Sequence, residues 1–366
     1  MSASRDHAWM EMAYGLAEKA RGRTSPNPMV GAVVVRDDAV AGHGYHAEPG
    51  KPHAEIIALG QAGRRAKGAT LYVTLEPCVH WGRTGPCVDT VVTSGLKRVV
   101  VSAIDPNPLV NGRGLRRLEE AGLDVSSGLL AERNAVLNEA HAKWIVRRLP
   151  FVTLKAALSL DGKIACAGGD SKWISSRGTR DYVHLLRGEQ DAILIGINTL
   201  VKDDPLLTVR HPLWPEKRLV RAILDSSLRF PLTSRILSTL DRGRILVFAA
   251  SDAPSEKAAA LEAVGVEVLR PRDGAKAWSL AGVLAELGGL EITSLLVEGG
   301  SRTFTAFIEE GLADKAVLTL APRFVGGEAA PTLIGGEGVD RMTEAIPLKR
   351  TRTLTIDDDL IVEGYF

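Results

Sequence analysis

Four residues far apart in the chain restrict its fold more than any other feature. His53 and Glu55 stand two apart in PHAEIIAL, and Cys78 and Cys87 bracket an eight-residue loop in TLEPCVHWGRTGPC. The pattern H-A-E … P-C-x8-C supplies one imidazole and two thiolates as zinc ligands, leaving the fourth tetrahedral position to water. His53 and Glu55 are expected at the start of a helix, with Pro77-Cys78 following the end of a strand. Two thiolates cancel the charge of Zn²⁺, so its water needs a base to lose a proton. Glu55 is placed to take that proton and pass it to a leaving amine.

The arrangement has the form H-x-E…P-C-x-x-C of zinc deaminases, with the second spacing lengthened to eight. Two plainer readings fit the same residues. Cys78 and Cys87 also read as small buried hydrophobes, or as part of a closed structural site with His80 as fourth ligand. Cys166 has no partner pattern and reads as a packing residue.

A chain of 366 residues predicts two domains. Lys and Arg number 45 against 44 Asp and Glu, a net charge of +1, so no global field steers the chain to nucleic acid or a membrane. Three cysteines make no disulfide framework. The opening stretch lacks the apolar core of a signal peptide, and no long apolar run predicts a spanning helix. A reducing cytoplasm is the expected compartment.

Periodicity predicts a helix over 5–21, a buried strand over 30–35, a helix over 53–66 and a strand over 69–75. A helix over 88–94, a strand over 98–103 and a helix over 113–121 follow. This is a layered α/β domain, assigned to residues 1–146 and closing where RRLPF marks a boundary. The second domain, 147–366, alternates again, with buried strands predicted over 192–195, 222–224, 245–249, 266–269 and 295–297. A helix is expected over 179–186. The tail, RTLTIDDDLIVEGYF, predicts two strands joined by an acidic turn.

The second half has no G-x-G-x-x-G after its first strand, which excludes a simple Rossmann reading. It does have LLVEGGSRTFTAFIEEGLAD, a buried strand, a Glu-Gly-Gly turn and a helix opening at Ser301. Glycines there admit close backbone approach, and free N–H groups attract phosphate; tight packing is the alternative reason. Arg187 and Arg210 suit bidentate phosphate recognition, while Asp203 also reads as a turn or cap residue and Trp173 as core. No dedicated acid–base pair stands out; Lys155 and Asp161 lie where either would assist.

GRTSPNPMVGAVVV, GHGYHAEPGKPHAE and YVTLEPCVHWGRTGPC closely resemble the deaminase half of the bifunctional riboflavin biosynthesis deaminase/reductases. Val79 is a departure, standing where a small polar residue is expected. KAALSLDGKIA, GDSKWISS, ILIGINTLVKDDPLLTVR and LVEGG occur in the order of that family's reductase half. The resemblance implies a cytidine-deaminase-like α/β/α domain followed by a dihydrofolate-reductase-like α/β domain.

It further implies hydrolytic deamination of a diaminopyrimidinone bearing a ribosylamino 5-phosphate, then NADPH-dependent reduction of the ribosyl group to ribityl. Zinc would sit on His53, Cys78 and Cys87, one ion per chain, with Glu55 catalytic. Asn27 and His46 would read the ring edge, and His80 and Arg83 the ring or phosphate. NADPH would contact Ala157, Trp173, Thr199, Asp203, Ser226 and the turn of Gly300, Ser301, Arg302, Thr303, Phe304, Thr305 and Ala306. The sugar phosphate would meet Ser171, Arg187, Leu207 and Arg210, with Glu298 near the ribose. Partners would be phosphorylated pyrimidines and a second copy joined through the reductase half. A nucleic-acid base deaminase, or a chain with one half inactive, are the competing readings. Near-neutral charge and the lack of basic–aromatic runs oppose the first. The intact His53, Glu55, Cys78 and Cys87 set opposes an inactive deaminase.

Overall fold

In the computed structural model, which describes residues 3–81, 85–272 and 274–366, the chain parts between Arg148 and Leu149 into two units. The first begins with α1 (Ala3–Ala17), β1 (Gly31–Arg36), β2 (Ala39–Tyr45) and α2 (Ala54–Ala62). It continues through β3 (Thr70–Leu75), α3 (Cys87–Thr93), β4 (Arg98–Ala103), α4 (Arg113–Glu120) and β5 (Asp124–Ser127). Helices α5 (Ala131–Leu137) and α6 (Glu139–Arg147) close it. The sheet order is β2-β1-β3-β4-β5, antiparallel around β1 and parallel from β3 to β5.

Strand alternation sorts the core into two layers. Ala32 and Val34 join Leu71, Val73, Val99 and Val101 under Ala54 and Ala58 of α2 and Val88 and Val91 of α3. Val33 and Val35 point the other way, with Tyr72 and Val100, onto Met10, Ala13 and Tyr14 of α1. The helix that carries Glu55 lies close on β2 because Gly42 has no side chain. A Cβ there would meet the Ala58 oxygen at 2.2 Å.

The opening helix stops at Ala17 and tightens into a 3-10 turn over Glu18–Ala20, short of the predicted 21. Strands β2 and β5 and helices α5 and α6 were not anticipated, and the boundary expected at RRLPF opens on a residue, Arg147, that is still helical.

The second unit holds β6 (Phe151–Ser159), α7 (Arg177–Glu189), β7 (Ala192–Gly196), α8 (Ile197–Asp203), β8 (Val220–Leu224) and β9 (Ile245–Phe248). Then come α9 (Ser255–Ala263), β10 (Glu267–Leu269), α10 (Leu280–Gly289), β11 (Ser294–Glu298) and α11 (Ser301–Glu309). It ends with β12 (Lys315–Ala321), β13 (Lys349–Ile356) and β14 (Asp359–Tyr365). The sheet order is β10-β9-β8-β7-β11-β6-β12-β14-β13. Strands are parallel from β10 to β12 in that order, and β14 is antiparallel to both its neighbours. Apolar residues line both faces, as a parallel sheet covered on both sides requires. Ile193 and Ile195 face one core cluster, and Ala192 and Leu194 face the other with Phe304 and Phe307 of α11. The tail forms the expected strand pair, turning at Asp357-Asp358, while β12 was not predicted. No helix among the described residues is long and apolar enough to cross a membrane.

Candidate active sites

His53 is the residue before α2, Glu55 lies in its first turn, and Cys87 opens α3. Cys78 stands in the loop between β3 and α3. His53 Nδ1 lies 3.0 Å from Cys87 Sγ and 3.7 Å from Cys78 Sγ. The Cys87 N–H donates to Cys78 Sγ at 3.3 Å. The three ligand atoms fall within 4.8 Å of one another, and no further His, Cys or carboxylate of the described residues joins them. An imidazole nitrogen and two sulfurs converging without a fourth side chain match the donor set of zinc with one position open. His80 stands outside the group, and its Nδ1 is buried with no hydrogen-bond partner among the described residues. Arg83 lies outside the described residues.

Hydrogen bonding and burial couple these side chains electrostatically. Cys78 accepts a hydrogen bond from the Cys87 thiol, which outweighs burial and, with His53, brings the Cys78 thiol down to about 4. Cys87, as donor to Cys78 and buried, is pushed up. Hydrogen bonding to Cys78 raises His53. Glu55 is buried, and burial, then the nearby Cys78, push its carboxyl up to about 7.

Asn27 and His46 join this group. Asn27 Nδ2 lies 3.0 Å from His46 Nε2, and His46 Nδ1 lies 3.3 Å from the Pro52 oxygen. A carbonyl only accepts, so the His46 proton sits on Nδ1 and Nε2 accepts from Asn27. Burial holds His46 below its ordinary value, and its ring meets His53 edge-on at 5.1 Å.

The loop carrying Asn27 is anchored by residues with no signal in the sequence. Asn138 accepts from the Met29 N–H at 2.7 Å and donates to the Met29 oxygen at 3.0 Å, and His141 Nδ1 meets the Pro26 oxygen at 2.9 Å. Glu76, also missed, takes four main-chain N–H donors. Only its place beside Pro77-Cys78 hinted at it.

In the second unit, β7 and β11 are parallel neighbours, so the turns at their carboxyl ends lie side by side. Such ends are where open α/β sheets receive ligands. A Cβ on Gly299, whose φ is 146°, would meet Thr199 Oγ1 at 3.2 Å, and one on Gly196 would meet Thr303 Oγ1 at 3.0 Å. Thr199, Thr303, Gly300 and Ser301 are thereby gathered. Arg302 and Ala306 follow on α11. Phe304 is wholly buried in the core, and the Thr305 hydroxyl bonds the Ser301 oxygen at 2.8 Å and the Gly335 N–H at 2.9 Å. Ser171 and Asp203 line one cavity of about 330 Å³ with Gly168, Gly169, Lys172 and Lys202. Trp173 is exposed rather than core, with the Arg180 guanidinium 4.5 Å over its ring. Ala157 lies on β6 and Ser226 just beyond β8.

Arg187 and Glu298 form a two-pronged ion pair, Nε to Oε1 at 2.8 Å and Nη2 to Oε2 at 2.7 Å. Strand register sets Lys155 opposite Glu298. Burial works to raise the Glu298 carboxyl, but Arg187 and then Lys155 prevail and hold it at about 2. Burial lowers Lys155. Arg210 Nη1 donates to Thr208 Oγ1 at 3.1 Å, and its N–H to His184 Nδ1 at 3.3 Å. Leu207 is buried with a φ of 50°. Arg187 and Lys155 against one carboxylate, with Arg210 close to Arg187, leave an excess of positive charge suited to a phosphate. Asp161 is occupied elsewhere, its carboxylate accepting from Val325 and Gly326 N–H at 3.0 and 2.7 Å.

Residues 3–103 match the family model of the cytidine and deoxycytidylate deaminase zinc-binding region, and residues 150–362 that of the RibD C-terminal domain. The chain is 45% identical over 357 residues to the riboflavin biosynthesis protein RibD of Aquifex aeolicus, covering 98% of this chain and 97% of the relative. It is 39% identical over 355 residues to that of Escherichia coli, covering 94% and 95%. Among solved structures, Acinetobacter baumannii RibD superposes with a TM-score of 0.87 at 36% identity, covering 100% and 99%. A Thermotoga maritima diaminohydroxyphosphoribosylaminopyrimidine deaminase/5-amino-6-(5-phosphoribosylamino)uracil reductase superposes at 0.85 with 34% identity, covering 99% of each chain.

Proposed function

The chain belongs to the riboflavin biosynthesis protein RibD family, and from that premise we propose how its two sites divide the family's two reactions. It is a bifunctional enzyme with a zinc-dependent deaminase and an NADPH-dependent reductase, acting on small pyrimidine substrates. We assign the first unit to deamination and the second to reduction, the division falling after Arg148 rather than after the expected residue 146. The observation that carries the deaminase reading is the meeting of His53 Nδ1 and the two cysteine sulfurs beside the buried Glu55.

In this reading His53, Cys78 and Cys87 hold the zinc. When bound, zinc acts as a Lewis acid that makes a water more acidic. Glu55 takes a proton from the attacking water and returns it to the exocyclic nitrogen. The water oxygen bonds to the amine-bearing ring carbon, the exocyclic C–N bond breaks, the carbonyl forms as the remaining water proton passes to a ring nitrogen, and ammonia leaves. A carboxyl raised by burial suits a group that both accepts and donates near neutral pH. Asn27, held by His46, reads the ring edge; His80 and Arg83 meet the ring or phosphate of 2,5-diamino-6-(5-phosphoribosylamino)pyrimidin-4(3H)-one.

In the reductase, NADPH supplies a hydride to the opened ribosyl group. The turns bearing Thr199, Asp203 and Gly300–Ala306, with Ala157, Trp173 and Ser226, hold the cofactor. Ser171, Arg187, Leu207 and Arg210 hold the sugar phosphate, with Glu298 near the ribose. The product is 5-amino-6-(5-phosphoribitylamino)uracil. Positioning donor and acceptor supplies much of the rate. We further assign the enzyme to the cytoplasm, as a homodimer through the reductase half, with neither nucleic acid nor membrane as partner.

The test is Glu55→Gln assayed for both steps. Ammonia release should fall by at least about 10²-fold, as loss of a general acid–base group does, while NADPH oxidation on the deaminated substrate persists. Loss of both activities in folded protein would contradict the division of labour.

A further inference from the structure

Glu76 is buried and unused by the mechanism above. Its Oε2 accepts from the N–H groups of Asp105 at 3.2 Å and Gly112 at 2.9 Å. Its Oε1 accepts from Gly114 at 2.7 Å and Leu115 at 3.2 Å. One side chain thus ties the loop after β4 and the first turn of α4 to the segment that carries Cys78. Four donors require an acceptor-only group. A carboxamide would turn its NH₂ against two of them, leaving buried donors unmet.

The fit is close. A Cβ on Gly114 would stand 2.4 Å from the Pro77 oxygen and 2.9 Å from Glu76 Oε1. From the other side Cys78 is held by α3: its oxygen accepts from Val88 N–H at 3.2 Å and its sulfur from Cys87 N–H at 3.3 Å. Glu76 and α3 therefore grip the short segment 76–78 from both sides.

We propose that Glu76 is a positioning residue of the metal site, fixing Pro77-Cys78 so that the Cys78 sulfur meets His53 and Cys87 at ligand spacing. The proposal rests on the reading of those three residues as zinc ligands. A purely structural cap would stabilise the unit without setting the geometry of the sulfur.

The two roles separate in the full-length protein with Glu76→Gln and Gly114→Ala, the second disturbing the same contact with the carboxylate intact. Asp6→Asn serves as comparison. Asp6 is likewise buried in the first unit, but it bonds Tyr72 at 2.6 Å and Arg98 at 2.9 Å and touches none of the site residues. The readouts are zinc affinity by chelator competition, the visible absorption of the Co²⁺-loaded protein, and thermal unfolding followed by circular dichroism as a measure of folding. Glu76→Gln and Gly114→Ala should each weaken zinc binding by about 10–100-fold, as loss of outer-shell partners does, and shift the cobalt bands. Asp6→Asn should lower thermal stability yet keep wild-type zinc affinity and bands. Wild-type affinity and spectrum in both site variants would overturn the proposal. Failure of the wild-type protein itself to bind either metal would instead overturn the ligand reading beneath it.

Discussion

At the scale of single residues, Glu298 and Arg187 form a pair whose contribution to stability has a definite sign. Each is almost enclosed, with 14% and 13% of its side chain exposed, and each satisfies the other along two hydrogen bonds. Removing one partner leaves a buried charge uncompensated, which costs about 3–5 kcal/mol. Glu298→Gln should therefore destabilise the second unit by an amount of that order, measured by urea unfolding. The pH dependence has a definite sign. The folded carboxyl, at about 2, lies below its ordinary 4.5, so its stabilisation is full above the ordinary value and is lost as pH falls towards the folded one. The gap between wild type and Glu298→Gln should be widest near neutral pH and narrow between 4.5 and about 2. A gap that widens on acidification would contradict this account.

At the scale of elements, the unanticipated helices α5 and α6, with Asn138 between them, are what hold the loop carrying Asn27. Asn138 bonds both polar groups of the Met29 main chain, in effect completing a two-bond ladder. Asn138→Ala should leave two half-buried main-chain groups of Met29 without their partner, costing about 1 kcal/mol. The expected result is a raised deaminase KM with unchanged zinc content; a normal KM would show that the loop holds without it. What was legible followed from distinctive chemistry. His53, Glu55, Cys78 and Cys87 declare themselves because few roles use those side chains at that spacing. Strand β2 did not, because Gly42 and Gly44 in AVAGHGY read as loop, whereas helix packing requires them. Strand β5, DVSS, is too polar to signal burial. Glu76 was hidden for another reason: its four partners are backbone N–H groups, which leave no mark on side-chain pattern. Lys155 was read as a candidate assistant in reduction and does stand beside Glu298, whereas Asp161 proves tied to main-chain N–H groups.

At the scale of the whole molecule, each unit has its own sheet and core, so each chemistry has an independent scaffold. That independence is what lets one activity persist while the other is disabled. The most direct test of the central claim is elemental analysis of purified protein alongside both assays. Wild type should carry about one zinc per chain, the stoichiometry of a three-ligand catalytic site. Cys87→Ser should carry far less and release no ammonia, yet still oxidise NADPH on the deaminated substrate. Ammonia release at the wild-type rate by protein free of zinc would contradict the account.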